Sequence, residues 1–276
     1  MKVMYKKIAG RALLGALLCT AVACGSDMNN NNPMGPTPPT TASVKVMSSA
    51  TLGNYLADGS GRSLYYFAFD VPAGTRGQPA VSNCTGQCVG YWPIFHADST
   101  MSPQGVDASD LAEITRSDGT KQTTYKGWPL YYYVSDSNAG DTKGEGVNGV
   151  WFVAHQPWYT IALLSKQNGP TYLTDSGGRA LYYFFNDQVG TSTTPPVSNC
   201  TSNQCMSNWP IFLTESAVVP STLDKTLFTV FTRADGQRQS AYKGHPLYYF
   251  TGDANPGDTN GRHLFNLWEI IDPSQL

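Results

Sequence analysis

The chain repeats its own sequence at a fixed distance of 117 residues, and this repetition constrains the fold more than any other feature. Tyr55 recurs as Tyr172, and the same offset (172 − 55 = 117) relates many other pairs. Those pairs include Asp58 and Asp175, Leu64 and Leu181, Cys88 and Cys205, Trp92 and Trp209, Arg116 and Arg233, Tyr125 and Tyr242, Asp141 and Asp258, and Trp151 and Trp268. The sequence therefore predicts two tandem domains of nearly equal length, residues 44–160 and 161–276, here named repeat 1 and repeat 2.

A shorter unit recurs twice inside each repeat. Residues 61–70, 127–136, 178–187 and 244–253 share the pattern Gly-x-x-Leu-Tyr-Tyr-(Phe or Tyr)-x-x-Asp. Each unit is followed by a tryptophan, and the distances from the unit's leucine to that tryptophan are 28, 21, 28 and 21 residues. Each repeat therefore consists of two different half-repeats, of which the first carries a pair of cysteines and a Trp-Pro.

These units resemble the Yx(FWY)xxD motif of a family of predicted bacterial lipoproteins, the secreted repeat of unknown function. The stretches Gln122 to Tyr131 and Gln239 to Tyr248, each Gln-x-x-Tyr-Lys-Gly-x-Pro-Leu-Tyr, resemble it as well. One departure is the four-residue spacer between Cys200 and Cys205, where repeat 1 has three residues. The resemblance implies a class of exported protein and brings no established activity. The motif residues are Tyr65, Phe67, Asp70, Tyr131, Tyr133, Asp136, Tyr182, Phe184, Asp187, Tyr248, Phe250 and Asp253.

The aromatic runs predict β-strands. On a strand, Leu64 and Tyr66 face one side while Tyr65 and Phe67 face the other, so both faces need covering. We expect Asp70 to start a turn at the strand end by bonding the backbone two residues on. The Asp-Gly pairs at 118–119 and 235–236 predict hairpins. Short helical turns are expected at 84–91, capped by Ser82 or Asn83, and at 107–112.

About six or seven short strands result for each repeat, with little helix. The predicted fold is all-β, with two tandem homologous domains of sandwich-like or barrel-like form built from short antiparallel strands. The alternative is a single assembly of pseudo-four-fold symmetry, in which the four half-repeats are propeller-like blades.

The N-terminus has the layout of a secretory signal, with basic residues followed by a short apolar run. Residues 1–23 are predicted to be the signal peptide. Ala21-Val22-Ala23-Cys24 resembles a bacterial lipobox, so Cys24 is the predicted lipidation site; the alternative is an ordinary signal peptide that leaves a free Cys24. Residues 24–43 are rich in Asn, Pro and Thr and are predicted to be a flexible tether. Gly25 favours the outer membrane as the place of anchoring.

Four cysteines remain in the folded part, in two close pairs. An even number of cysteines at matched places in an exported chain predicts disulfides, here Cys84–Cys88 and Cys200–Cys205. The net charge is −2 and the sequence pI about 6.0, without a basic run beyond the signal. These values argue against a nucleic-acid partner. The expected partner is a membrane, reached through the lipid on Cys24, and the sequence does not identify a protein or glycan partner.

The Gly-rich loops after the motif strands supply the only candidate metal ligands. Calcium binds oxygen ligands in flexible loops, but the spacing here is not that of an EF-hand, and a turn held by Asp and Gly explains it as well. No histidine recurs at a matched position, and no catalytic motif is present. We therefore expect no cofactor and a non-catalytic module for binding or scaffolding; a metal-binding or electron-transfer protein and a glycan-binding module are the alternatives. The candidate calcium ligands are Asp136, Asp141, Asp253, Asn255 and Asp258.

Overall fold

A computed structural model describes residues 43–97 and 102–276. The signal peptide, Cys24 and the tether up to residue 42 lie outside the described residues. Repeat 1 contains β1 (Val44–Ser49), β2 (Gly53–Asp58), β3 (Tyr65–Phe67), α1 (Gln87–Tyr91), β4 (Leu111–Thr115), β5 (Lys121–Tyr125), β6 (Trp128–Pro129) and β7 (Trp151–Val153). Repeat 2 contains β8 (Ile161–Ser165), β9 (Thr171–Asp175), β10 (Tyr182–Phe184), α2 (Asn203–Asn208), β11 (Phe228–Thr232), β12 (Arg238–Tyr242), β13 (His245–Pro246) and β14 (Trp268–Ile270). Short 3₁₀ turns lie at Ala108–Asp110, Val147–Gly149, Lys225–Leu227 and Leu264–Asn266.

All the sheets are small and antiparallel. In repeat 1, β1 pairs with β2, β3 pairs with β7, and β4, β5 and β6 form a three-stranded sheet. Repeat 2 has the same three sheets in the same order, formed by β8 and β9, by β10 and β14, and by β11, β12 and β13. The hairpin turns at Asp118-Gly119 and Asp235-Gly236 are as the sequence predicts, because β4–β5 and β11–β12 flank them.

The sheets stay small because strands meet in closed rings of three. The Leu64 N–H donates to the Leu56 carbonyl, the Leu56 N–H to the Ala154 carbonyl, and the Ala154 N–H to the Leu64 carbonyl, at 2.9, 2.8 and 2.7 Å. Such a ring uses both the N–H and the C=O of each of its three residues, so neither group is left to bond a further strand there. Equivalent rings join Leu130, Thr123 and Phe95, then Leu181, Leu173 and Ile271, and finally Leu247, Ser240 and Phe212.

Within a repeat, the two half-repeats face each other through their motif strands. The Tyr65 N–H donates to the Tyr131 carbonyl at 2.8 Å, and the Tyr131 N–H donates to the Tyr65 carbonyl at 2.9 Å. Tyr182 and Tyr248 exchange the same two bonds in repeat 2, both at 2.9 Å. This exchange relates the half-repeats by a local two-fold axis that passes between the paired tyrosines.

The alternation along the motif strand separates two cores, as the sequence predicts. Leu64, Tyr66 and Ala68 belong to a large core that also contains buried residues of repeat 2, such as Leu163 and Leu173. Tyr65 is buried in a smaller core, against which Phe67 packs, with Trp92, Tyr131 and Trp151. The two repeats therefore share one apolar core, and the domain boundaries drawn from the sequence remain a prediction.

The all-β class and the seven strands of each repeat confirm the predicted fold class. No closed barrel is found in the residues that the structure describes, because its strands end in three-way rings. The sheets there have two or three strands, so they do not form four-stranded blades. The predicted caps at Ser82 and Asn83 are wrong: α1 starts after Gly86 without a side-chain cap, whereas Ser202 caps α2. No described helix is long and apolar enough to cross a membrane.

Candidate functional site

The tyrosine and the aspartate of the motif bind each other across the local two-fold axis. Tyr65 of the first half-repeat donates its hydroxyl hydrogen to Asp136 Oδ2 of the second at 2.7 Å. In return, Tyr131 of the second half-repeat donates to Asp70 Oδ2 of the first at 2.7 Å. In repeat 2, Tyr182 binds Asp253 at 2.7 Å, and Tyr248 binds Asp187 at 2.8 Å. Each half-repeat therefore completes the polar site of its neighbour.

The second carboxylate oxygen of each motif aspartate accepts a backbone N–H from the loop that follows. Asp70 Oδ1 accepts from Asn83 at 2.6 Å, and Asp136 Oδ1 accepts from Lys143 at 2.9 Å. Asp187 and Asp253 do the same with Asn199 and Asn260, at 2.7 and 2.8 Å. The expectation that Asp70 bonds the backbone two residues on is wrong, because its Oδ1 accepts from the Asn83 N–H, which is 13 residues away.

The aromatic position of the motif forms a column of stacked rings across the same axis. Phe67 stacks on Trp151 at 4.0 Å, Trp151 on Trp92 at 3.8 Å, and Trp92 on Tyr133 at 4.2 Å between ring centroids. The two tryptophans are parallel within 1°. In repeat 2 the column consists of Phe184, Trp268, Trp209 and Phe250. The Leu-to-Trp spacing of the sequence therefore brings one tryptophan from each half-repeat to the axis.

A buried arginine extends the polar network in the first half-repeat. The Arg116 guanidinium donates to Ser82 Oγ, to Gln122 Oε1 at 2.9 Å and to the Cys84 carbonyl at 2.6 Å. Ser82 in turn bonds the Tyr131 hydroxyl at 2.5 Å, which links the arginine to Asp70. Arg233, Gln239, Ser198 and the Cys200 carbonyl repeat the arrangement. The recurrence of Arg116 and Gln122 at 117 residues was the sequence signal for this network, but it did not reveal that they meet.

Burial determines the electrostatics of the motif carboxylates. Desolvation raises the pKa of Asp70 to about 8, against the lowering effect of the Asn83 and Tyr131 bonds and the Arg116 charge. The less buried Asp187 has its pKa raised to about 6 for the same reason. Burial also raises the pKa of Asp136 and Asp253, and it raises the pKa of Tyr65 and Tyr182 above the ordinary range.

The family model of the secreted repeat of unknown function matches residues 112–155 and residues 229–270. Two segments of the chain are therefore similar to the repeat of this family. The matched segments hold Tyr131 and Asp136 in repeat 1 and Tyr248 and Asp253 in repeat 2, together with the second tryptophan of each stacked pair. No curated protein and no solved structure matches the chain. The resemblance drawn from the motif is thereby confirmed.

The calcium candidates of the secreted repeats serve as turn residues and core partners. Asp141 Oδ2 accepts the N–H groups of Ser137 and Asn138 at 3.0 Å, and it pairs with the Lys143 ammonium at 2.8 Å. Asp258 Oδ2 accepts the N–H groups of Ala254 and Asn255. No group of three potential metal ligands occurs within residues 43–97 and 102–276. This geometry favours the turn interpretation of the loops.

Both predicted disulfides are confirmed. Cys84 is bonded to Cys88, and Cys200 is bonded to Cys205, with Cα atoms 5.3 and 5.5 Å apart. Each bridge closes the segment that leads into the first tryptophan of its repeat, Trp92 or Trp209. The carbonyl of the buried cysteine, Cys84 or Cys200, is the one that accepts from the arginine. The bridges therefore fix the turn that holds the arginine network.

Open cavities lie where repeat 1 and repeat 2 meet. The largest of those described has a volume of about 590 Å³ and is lined by residues of both repeats. Its wall combines aromatic edges with amide and hydroxyl groups, which is a composition that suits a ligand with both apolar faces and hydroxyls. The lining residues are Phe67, Phe69, Asn83, Thr85, Ser165 and Gln167.

Proposed function

We propose that this protein is an exported lipoprotein, anchored through Cys24, whose secreted repeats form a non-catalytic module for binding or scaffolding at the membrane surface. The observation that carries the proposal is the reciprocal bonding of the motif. Tyr65 and Asp136, and Tyr131 and Asp70, bind each other inside the fold, so the repeated polar groups hold the two half-repeats together. Groups committed in this way are structural, since a catalytic acid or base has to reach a substrate proton.

The anchoring part of the proposal is tested on the full-length chain in an exporting bacterial host. We expect metabolic labelling with an alkyne-bearing fatty acid to mark the wild-type chain, and the chain to fractionate with membranes. Cys24→Ser should abolish both, while Cys19→Ser, in the same segment, should abolish neither. A wild-type chain that takes up no label would refute lipid anchoring.

The non-catalytic part is tested by turnover. The purified wild-type chain is incubated with panels of chromogenic esters, glycosides and phosphates, and Arg116→Met, which breaks the buried network, is the comparison. We expect no turnover above the buffer rate from either protein. Turnover that copurifies with the wild-type chain and disappears in a folded variant would contradict this role.

A second candidate is a glycan-binding module, which the cavity of about 590 Å³ favours because it joins Phe67 and Phe69 to Asn83 and Gln167. Aromatic rings pack on the apolar faces of sugars, and amides bond their hydroxyls. Binding of the full chain to a glycan array is the measurement. If the chain binds a glycan in this cavity, Phe69→Ala should abolish the binding. Tyr91→Ala should leave binding unchanged, because it removes a 65% exposed aromatic ring that does not line the cavity.

A further inference from the structure

The two repeats contact each other head to tail, through two different faces. The front face of repeat 1 contains Tyr66, Ala68, Pro72 and Trp128, and the rear face of repeat 2 contains Leu163, Ser165, Ser176 and Gly178. The Ser165 N–H donates to the Ala68 carbonyl at 2.7 Å, and the Trp128 indole N–H donates to the Ser176 carbonyl at 3.0 Å. Pro72 lies so close to Gly178 that a Cβ there would sit 2.7 Å from its ring.

Because the repeats are homologous, repeat 2 also has a front face, and within residues 43–97 and 102–276 no repeat covers it. By the 117-residue offset this face contains Tyr183, Phe185, Val189 and His245. Phe185 is 52% exposed and Val189 is 49% exposed, whereas their counterparts Ala68 and Pro72 are buried. Two large apolar side chains are therefore exposed at positions that are covered in repeat 1.

The front face of repeat 2 keeps the geometry of the covered one. Tyr183 lies edge-on to His245 with ring centroids 5.0 Å apart and planes at 68°. Tyr66 and Trp128 have the same arrangement, at 5.0 Å and 67°. His245 also keeps a ring N–H that can donate where the Trp128 indole donates. The surface is thus prepared for the kind of contact that repeat 1 makes.

The rear face of repeat 1 is open in a corresponding way. Val46 is partly exposed and Ser48 is exposed, whereas the equivalent Leu163 and Ser165 of repeat 2 are buried. The Gly59 carbonyl corresponds to the Ser176 carbonyl. It accepts a hydrogen bond from the Lys45 ammonium at 3.0 Å, where the Ser176 carbonyl accepts one from an indole. Gln104 covers the start of the β1 edge, because the Val46 N–H donates to its carbonyl at 3.1 Å and its N–H donates to the Val44 carbonyl at 2.8 Å. The open part of this face is therefore Ser48 together with the Gly59 carbonyl.

Charge distinguishes the two open faces. Lys45 stands on the rear face of repeat 1 where repeat 2 has Ala162. On the front face of repeat 2, Glu269 pairs with Tyr183 across the strands where repeat 1 has Phe152, and its carboxylate already binds Arg262 at 2.7 Å and His263 at 2.9 Å. A contact of two rear faces would bring two Lys45 ammonium groups together, which is unfavourable. A front face against a rear face avoids this repulsion.

We propose that the front face of repeat 2 binds the rear face of repeat 1 of a second molecule of this chain, so that molecules associate head to tail. The inference deepens the proposed scaffolding role by naming its partner. Contacts between two different faces propagate into rings or filaments. Lys45 must leave the Gly59 carbonyl, where the His245 ring N–H replaces it. Membrane anchoring would favour the contact by raising the local concentration.

Disulfide cross-linking between two differently tagged full-length chains tests the contact. One chain carries Ser48→Cys and the other Phe185→Cys, so a bond between these cysteines can form only between molecules. The positive control is a single chain with Ala68→Cys and Ser165→Cys, the equivalent pair at the contact between the repeats. We expect a reducible band of both tags from the co-expressed chains, and none when Tyr91→Cys replaces Phe185→Cys.

A charge introduced into the front face then distinguishes a specific contact from chance collision. Sedimentation of the full chain in detergent, without added cysteines, should show oligomers that Val189→Asp weakens and that Tyr91→Asp leaves unchanged. Phe185→Asp should weaken association about tenfold, as expected when a large apolar side chain is no longer buried. A wild-type chain that stays monomeric, or an absent cross-link while the positive control forms, overturns the proposal. Neither result affects lipid labelling or the turnover test, which decide the proposed function separately.

Discussion

Tyr65 and Asp136 are 71 residues apart in the chain and share a buried hydrogen bond of 2.7 Å. Their counterparts Tyr182 and Asp253 share the same bond at the same distance. The tyrosine and the aspartate of one motif therefore do not interact with each other, although only four residues separate them in the sequence. The motif therefore acts in pairs of antiparallel strands. The tyrosine of each strand donates to the aspartate that follows the other strand.

Removal of one hydroxyl from this exchange should destabilise the fold. We expect Tyr65→Phe to lower the free energy of unfolding by about 1–3 kcal/mol, because the buried Asp136 oxygen loses its partner. Denaturant unfolding of the full chain measures it. In a double-mutant cycle, Asp136→Asn should cost less on the Tyr65→Phe background than on the wild type. Additive costs would show that the bond contributes nothing. Tyr91→Phe, at an exposed ring, is the control.

Stability should fall as the pH rises, and the two repeats should respond over different ranges. The pKa of Asp70 is raised to about 8 in the folded chain, from an ordinary value near 4 in the unfolded chain. The folded state thus holds this proton more tightly, so the contribution is fully present below pH 4 and is lost as the pH rises to about 8. For Asp187 the loss ends near pH 6.

Unfolding measurements from pH 4 to pH 9 test this order. Asp70→Asn should remove the decline in stability above pH 6. Asp187→Asn should remove only part of the decline in stability below pH 6. Infrared absorption of protonated carboxyl groups at pH 7 should be weaker in Asp70→Asn than in the wild type, and the band that is lost identifies the group directly. A wild-type stability that rises over this range would contradict the assignment.

The stacked tryptophans should contribute as a unit. Trp92 and Trp151 are 3.8 Å apart and parallel, and each comes from a different half-repeat. We expect Trp92→Leu and Trp151→Leu each to cost about 3 kcal/mol, because a large buried ring is removed and its partner loses its stacking face. The double variant should cost clearly less than the sum, since the second substitution acts on a broken stack. Trp209→Leu in repeat 2 is the matched comparison, and fully additive costs would argue against a coupled pair.

The sequence repetition made the fold class predictable. The candidate site was not predictable in the same way, because it depends on contacts between distant segments that no sequence pattern indicates. Strict alternation placed Leu64 and Tyr66 on one face and Tyr65 and Phe67 on the other, and the structure has them in two cores. The Asp-Gly hairpins and the cysteine pairs were local signals and were correct. Asp70 was assigned to a local turn because propensity describes neighbours in the chain, while its real partner, Tyr131, is 61 residues away. The three-way rings were equally hidden, since they join separate segments through backbone groups that every sequence has.

The disulfides should stabilise the fold only modestly. The bridges close loops with sequence separations of 4 and 5 residues, which restrict the unfolded chain little. We expect the double variant Cys84→Ala and Cys88→Ala to lose less free energy of unfolding than the value of about 2–4 kcal/mol that is typical of a disulfide. The equivalent change at Cys200 and Cys205 should lose a similar amount, and thermal unfolding with and without reductant measures both. A chain that fails to fold without one bridge would show that the turn before the tryptophan forms only when it is cross-linked.

Phe265 occupies a backbone conformation that its counterpart in repeat 1 tolerates better. Its φ is 55° and its side chain is 77% exposed, and the equivalent residue is Asn148, with φ of 53°. The left-handed region costs a bulky residue about 1–2 kcal/mol, and asparagine is among the residues that enter it more readily. Little burial offsets that cost at Phe265. We therefore expect Phe265→Asn to raise the free energy of unfolding by about 0.5–1 kcal/mol, and Asn148→Phe to lower it by a similar amount.

Tyr91→Asn, at an exposed ring without a left-handed backbone, should give no gain. If Phe265→Asn destabilised the chain, the phenylalanine would have to make a contact that offsets its backbone strain, and the loop at Leu264–Asn266 would then be the surface on which to look for that contact.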